Sequence, residues 1–374
     1  MRSLATMLLL LITICACSQE FYLFTGTYTR GASKGIYVYS FNAANGEVTP
    51  VSIAEGVANP SFLSLSPSGK YVYAVSENSG DTPSEVWAFA FDRSTGQLKL
   101  INKQLSGSEG PCYIATDASG KWVTVGHYTG GTLTAFQVEK NGGLKSQGQL
   151  ITHNGSSANK QRQEKAHVHA TVFSPDQRVL FVPDLGLDKI MIYRFDPAFY
   201  KKPLTPSKKQ SFVKTKPGSG PRHLTFHPTL PYAYLIEELQ GTISVYQYNQ
   251  DTLKFIQNIS SHPPEFNGTK GSADIHVSPD GKFLYASNRG DANNLAIFSI
   301  NGDNGKLAAK GFQSTMGTVP RNFLIDPTGN YLLVANQQSS NIVIFKRDKQ
   351  TGQLQPTGKE LTVPNPVCLV MMKK

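Results

Sequence analysis

The chain has 374 residues and a formal net charge of +10, with 39% hydrophobic and 17% charged residues. Of four cysteines two lie together at Cys15 and Cys17, and the other two, Cys112 and Cys368, supply neither a disulfide framework nor a cysteine-based metal site. The lysines sit on loops (Lys201, Lys202, Lys208, Lys209, Lys214, Lys216) rather than among stacking aromatics, so nucleic acid is not an expected partner, while small anions are.

Residues 1–17 stand apart from the rest. Arg2 precedes an apolar run, LATMLLLLITI, that is shorter than a membrane span and has the form of a secretory signal peptide. The following Ile14-Cys15-Ala16-Cys17 has the pattern of a bacterial lipoprotein cleavage box, which makes Cys17 the lipidated first residue; an ordinary cut nearby is the alternative. The expected product is exported, periplasmic or membrane-anchored, and touches a membrane only through that lipid.

From residue 21 to residue 374 the chain reads as one domain, because it repeats itself. A turn followed by a hydrophobic strand recurs at Gly69, Gly120, Gln177, Leu230, Gly281 and Gly329, in steps of 51, 57, 53, 51 and 48 residues. Each unit reads as four strands: an apolar strand before the turn, a second after it, a third with alternating aromatics and a fourth. The fourth mostly opens at a Gly- or Asn-containing turn (STGQL, KNGGL, DNGKL, QTGQL). A period of roughly 50 residues with four strands per unit predicts a β-propeller. Stretches 153–165 and 197–220 read as inter-strand loops.

Both ends of the chain complete the circle. Residues 22–48 match strands two to four but lack a first strand, and residues 365–371 match a first strand and then stop. Joined, they form a seventh blade, so the expected fold is all-β: a seven-bladed propeller of four-stranded antiparallel blades. Closure of this kind removes two open sheet edges. Cys112 and Cys368 fall on first strands two blades apart and should not meet.

An internal repeat permits comparison of equivalent positions. The starts of the innermost strands carry Ser61, Cys112, His169, Arg222, Ala273, Arg321 and Val367, whereas two places further on the residues are nearly all apolar. The ends of the second strands carry Glu77, Tyr128, Leu185, Glu238, Arg289 and Gln337. Neighbouring antiparallel strands place both columns at one end of the propeller, so His169, Arg222, Glu238, Arg289 and Arg321 should converge at one mouth of the channel. Clustered arginines repel unless an anion or carboxylates offset them, which points to an anion-binding pocket. His223 should point to the other side of its strand, and His276 lies deeper, where a core histidine bonded to backbone is expected. His167 and His169 form an H-x-H pair without a nearby carboxylate or cysteine, a weak metal signal, so no metal is assigned.

The chemistry these groups suit is water attack on an ester carbonyl. Glu238 or His169 serves as general base, and arginine forks hold a substrate anion or a developing oxyanion. No Ser-His-Asp order or nucleophile elbow is present to indicate covalent catalysis.

Four segments, HVHATVFSPD (167–176), GPRHLTFHP with YAYLIEELQGTISVY (220–246), ADIHVSPDGKFLYASNRG (273–290) and VPRNFLIDPTGNYLLVANQQSSNIVIF (319–345), resemble the seven-bladed lactonases. That family comprises propeller-type 6-phosphogluconolactonases and carboxy-cis,cis-muconate lactonising enzymes. The resemblance implies a site at His169, Arg222, Glu238 and Arg289, with Arg321 as a further substrate contact and His223 and His276 as weaker candidates. It implies no cofactor, a monomer, and a small anionic lactone as substrate. Hydrolysis of a sugar lactone, 6-phosphogluconolactone or a related aldonolactone, is the leading expectation. A muconate-type cyclase and a non-catalytic exported propeller binding an anion at the same mouth are the alternatives. An export signal fits poorly with a phosphorylated cytoplasmic metabolite, which leaves the lactone itself open.

Overall fold

The computed structural model describes residues 19–146 and 148–374. The signal-peptide reading and Cys17 therefore lie outside the described residues. The chain forms seven sheets arranged as blades. Blade one joins Glu20–Thr27, Gly35–Asn42 and Glu47–Glu55 to the C-terminal Pro366–Lys373, which is innermost. Phe21 to Thr27 pair with Lys373 to Pro366, so the two ends of the chain seal the ring. The innermost strands of blades two to seven are Leu63–Leu65, Pro111–Thr116, Val172–Phe173, Pro221–Phe226, Ser272–Val277 and Pro320–Ile325.

The core lies between blades rather than within them. Seven buried clusters each draw on two neighbouring blades; Tyr22, Phe24 and Val38 of blade one, for example, pack with Leu63, Val72 and Phe89 of blade two. A blade is apolar on both faces and cannot bury them alone, which is why the repeat holds together only as a ring. The glycine turns before the fourth strands have a related cause. Gly142, at φ +88°, and Gly305, at φ +70°, lie under the rings of Tyr71 and Tyr232 from the preceding blades. A Cβ there would stand 2.2 and 2.4 Å from those rings, so both the positive φ and the close approach require glycine.

Blade four departs from the expectation. Segment 197–220, expected as an inter-strand loop, contains the outer strand in two pieces, Leu204–Pro206 and Phe212–Lys214, both paired to Lys189–Phe195. This blade lacks the glycine turn that opens the fourth strand in most other blades, and the chain there leaves the sheet and returns. Its innermost strand is also short, with an isolated bridge between Val168 and Asp184 continuing the pairing. Cys112 and Cys368 are free and buried, as the two-blade separation requires.

The innermost strands are irregular at their starts. In blades three, five and seven the register shifts between Pro111 and Tyr113, Pro221 and His223, and Pro320 and Asn322. Each shift is a bulge that skips one residue: Cys112, Arg222 and Arg321. A bulge re-aims the side chain it releases from the ladder. Two of the three bulged residues are the arginines of the first column.

Candidate active site

One mouth of the channel opens as a cleft of about 320 Å³, lined by Tyr28, Glu77, Cys112, Tyr128, Arg162, His169, Arg222, Glu238, Arg289 and Arg321. The five residues expected to converge are brought together there. Glu238 is the hub. Its Oε2 accepts from Arg222 Nη1 at 2.7 Å and stands 3.0 Å from Arg289 Nη2, while Oε1 accepts from Arg162 Nη2 at 2.7 Å. The backbone holds two of these arginines: Arg222 Nε donates to the Ala273 carbonyl at 2.7 Å and Arg289 Nε to the Gly271 carbonyl at 3.0 Å. Burial alone would raise the Glu238 carboxyl, but Arg289, Arg222, His169 and Arg162 together hold it well below the usual carboxylate range, so it is ionised.

His169 lies on the other side of Arg222. Arg222 Nη1 donates to His169 Nε2, which fixes the tautomer: Nε2 carries the lone pair and Nδ1 the proton, 3.7 Å from Cys112 Sγ. Burial and the Arg222 charge push His169 well below its ordinary value. Its 3.8 Å approach to Glu238 is therefore the contact of a neutral imidazole with a carboxylate rather than an ion pair. Tyr128 packs edge-on to His169, with centroids 5.2 Å apart, and accepts from Arg162 at 3.1 Å.

The facing wall is different. Tyr28 donates from its hydroxyl to both Glu77 oxygens at 3.0 Å, and Arg321 sits 5.3 Å over the Tyr28 ring and 4.0 Å from Glu77. Among the described residues nothing accepts a hydrogen bond from the Arg321 guanidinium, although the residue lines the cleft. The cleft thus holds four guanidinium groups against two carboxylates, a formal surplus of two positive charges. Burial, with Arg222 and Arg321 nearby, brings Arg289 down to about 10, against the pull of Glu238. Such crowding is relieved by an anion.

Sequence reasoning missed Arg162, Tyr28 and the contact roles of Glu77 and Tyr128. The last two stood in the strand-two column and could have been chosen from it. Tyr28 extends the equivalent strand of blade one, whereas Arg162 lies on the 153–165 loop, outside every repeated column.

His223 and His276 are not in this cleft. The bulge at Arg222 breaks the alternation that placed His223 on the other side of its strand. Arg222 and His223, but not His276, line a void of about 10 Å³ together with Ser61, Cys112, Arg321 and Asn322. His223 Nδ1 then bonds Asp274 Oδ1 at 2.8 Å. His276 bonds Asp274 Oδ2 at 3.0 Å rather than backbone, and its 37% exposed side chain faces the opposite mouth. His167 stacks on Tyr128 and bonds the Tyr128 carbonyl and Glu164, away from any metal geometry. Among the described residues no group of three or more His, Cys, Asp or Glu could hold a metal ion.

Residues 22–371 match the family model described as lactonase, 7-bladed β-propeller. The chain belongs to this lactonase family. It is 43% identical, over 91% of this chain and 96% of the relative, to a protein named 6-phosphogluconolactonase from Formosa agariphila. It is 34% identical to one of the same name from Bacillus subtilis, over 92% and 97% of the two chains. A solved periplasmic gluconolactonase of Pseudomonas aeruginosa superposes with a TM-score of 0.90 at 36% identity, covering 95% of this lactonase-family chain and 99% of its own.

Proposed function

We propose that this lactonase-family propeller hydrolyses a sugar lactone bearing or generating negative charge, 6-phosphogluconolactone or a related aldonolactone. The observation that carries the reading is the cleft in which a surplus of arginine charge surrounds one ionised carboxylate and one neutral histidine. In the reaction a water oxygen bonds to the lactone carbonyl carbon. The Glu238–His169 pair takes the proton that this water loses. Arg222 and Arg289 hold the oxyanion that develops. The ring C–O bond then breaks, the pair returns the proton to the ring oxygen, and the product acid ionises to a carboxylate. Arg321, whose donors are unspent, binds the substrate's anionic end. A cyclase acting on a dicarboxylate would use the same arginines, but the relatives named above are hydrolases of sugar lactones.

The periplasmic relative supports export, and we infer from the sequence alone that residues 1–17 are the signal, that Cys17 is the lipid attachment point and that the propeller works as a monomer. Mass spectrometry of the mature N-terminus from the cell envelope tests this, and an unlipidated start would remove the anchor.

The functional test is hydrolysis of freshly prepared δ-6-phosphogluconolactone and of δ-gluconolactone, corrected for spontaneous opening. Acceleration of at least one is expected. Acceleration of neither, with turnover of a muconate-type dicarboxylate instead, would overturn the hydrolase assignment.

A further inference from the structure

Glu238 has three arginine partners, and they are not equivalent. Arg222 and Arg289 spend their Nε donors on backbone carbonyls, and their side chains are 3% and 16% exposed. Arg162 is 44% exposed, and both of its hydrogen bonds, to Glu238 and Tyr128, leave from Nη2. Among the described residues nothing accepts from its Nε or Nη1. Its backbone, by contrast, is fixed. Gln163 beside it is fully buried, donates to the Leu185 carbonyl at 2.8 Å, and accepts from the Asn159 amide at 2.9 Å. Two cations are therefore built into the walls, while the third hangs on a long side chain from a rigid loop at the rim.

We propose that Arg162 is a second specificity-determining residue, beside Arg321, for the anionic group of the substrate, and that it leaves Glu238 to bind that group. This rests on the lactonase reading above. Both two-pronged edges of a guanidinium, Nε with Nη2 and Nη1 with Nη2, use the nitrogen that Arg162 spends on Glu238 and Tyr128, so it must release them to grip a phosphate or carboxylate with two donors; at the rim, Arg162 is the cation such a group meets first. The same movement has a second consequence. A carboxylate held by three cations is a poor proton acceptor, because each cation favours its charged form. When Arg162 turns to the substrate, Glu238 keeps two partners and becomes more basic at the moment water must be deprotonated. Substrate charge is then read in turnover as well as in binding. A neutral lactone, unable to attract Arg162, leaves Glu238 capped.

The test compares wild type, Arg162→Gln and Arg162→Lys on δ-6-phosphogluconolactone and δ-gluconolactone, each across pH. For Arg162→Gln, kcat/KM on the phosphorylated lactone should fall about 10- to 100-fold, the scale of one charge-assisted pair. On the neutral lactone kcat/KM should stay level or rise, because Glu238 is no longer capped. The acid limb of the kcat/KM profile should move to higher pH, because Glu238 has lost a cation. Arg162→Lys, which restores charge without the fork, should recover the acid limb but only part of the discrimination. Equal losses on both lactones with an unmoved acid limb would overturn the proposal while leaving the lactonase reading intact. Wild type hydrolysing neither lactone would remove both.

Discussion

The two mouths of the channel are built from the same seven innermost strands, yet they handle charge in opposite ways. At the lower mouth, a concavity of about 510 Å³, the buried carboxylate of Asp274 is fully matched. Its Oδ1 accepts from His223 and the Ile275 amide, and its Oδ2 from His276 and Asn322. Asn322 in turn accepts from the Leu369 amide at 2.7 Å, which ties blade six through blade seven to blade one. At the upper mouth the arginines outnumber the carboxylates, and the Arg321 donors have no acceptor among the described residues. Phe62 and Tyr113, stacked 4.2 Å apart, line the lower mouth. A charge cluster satisfied from within is a fastening, and one left in surplus is a binding site. Burial alone does not distinguish them, since Asp274 and Glu238 are equally buried.

The largest effect that would sharpen this contrast is in the upper mouth. Arg222→Ala removes a donor to both Glu238 and His169 together with the proposed oxyanion contact, so kcat should fall about 10²- to 10³-fold in a folded protein. A loss confined to KM would move Arg222 from chemistry to binding. Next comes the lower mouth. Asp274→Ala strands two histidines and an asparagine and should cost about 3–5 kcal/mol in chemical denaturation, the scale of breaking a buried charged network. A loss below about 1 kcal/mol would mean that the network is not a fastening.

The upper mouth was largely legible in the chain, whereas the Asp274 network of the lower mouth was not. The column at the starts of the innermost strands named Arg222, His169 and Arg321, and the strand-two column named Glu238 and Arg289, because a repeat fixes which positions share a level. What stayed hidden lay where the repeat is broken. The bulge at Arg222 breaks the alternation before His223, and a period-2 pattern cannot announce a skipped residue. Arg162 lies in an irregular loop with no counterpart in other blades. The split outer strand of blade four follows a turn that, like that of blade five, lacks the glycine signal.

Smaller effects probe the edges of the comparison. Arg321→Gln should raise KM for the phosphorylated lactone about tenfold with little change in kcat, because Arg321 is assigned the substrate anion rather than the reacting carbonyl. An equal rise for the neutral lactone would remove that assignment. The smallest effect concerns His276, whose pKa Asp274 raises against the opposing effect of burial. Stability from a raised histidine is present below its unfolded value and is lost as pH rises through its folded value. Melting temperature should therefore decline as pH rises above the ordinary histidine value of about 6.5 more in wild type than in His276→Gln. Parallel curves would show that this pair contributes nothing measurable.

The most direct measurement is kcat per folded molecule for Glu238→Gln beside Asp274→Asn, two isosteric replacements of equally buried carboxylates, on whichever δ-lactone the wild type prefers. Glu238→Gln should fall by about 10² or more, the scale of a lost proton-transfer group, while Asp274→Asn should stay within about threefold of wild type. Retention of turnover by Glu238→Gln would contradict the account, because it would show that the water is deprotonated without the Glu238 carboxylate.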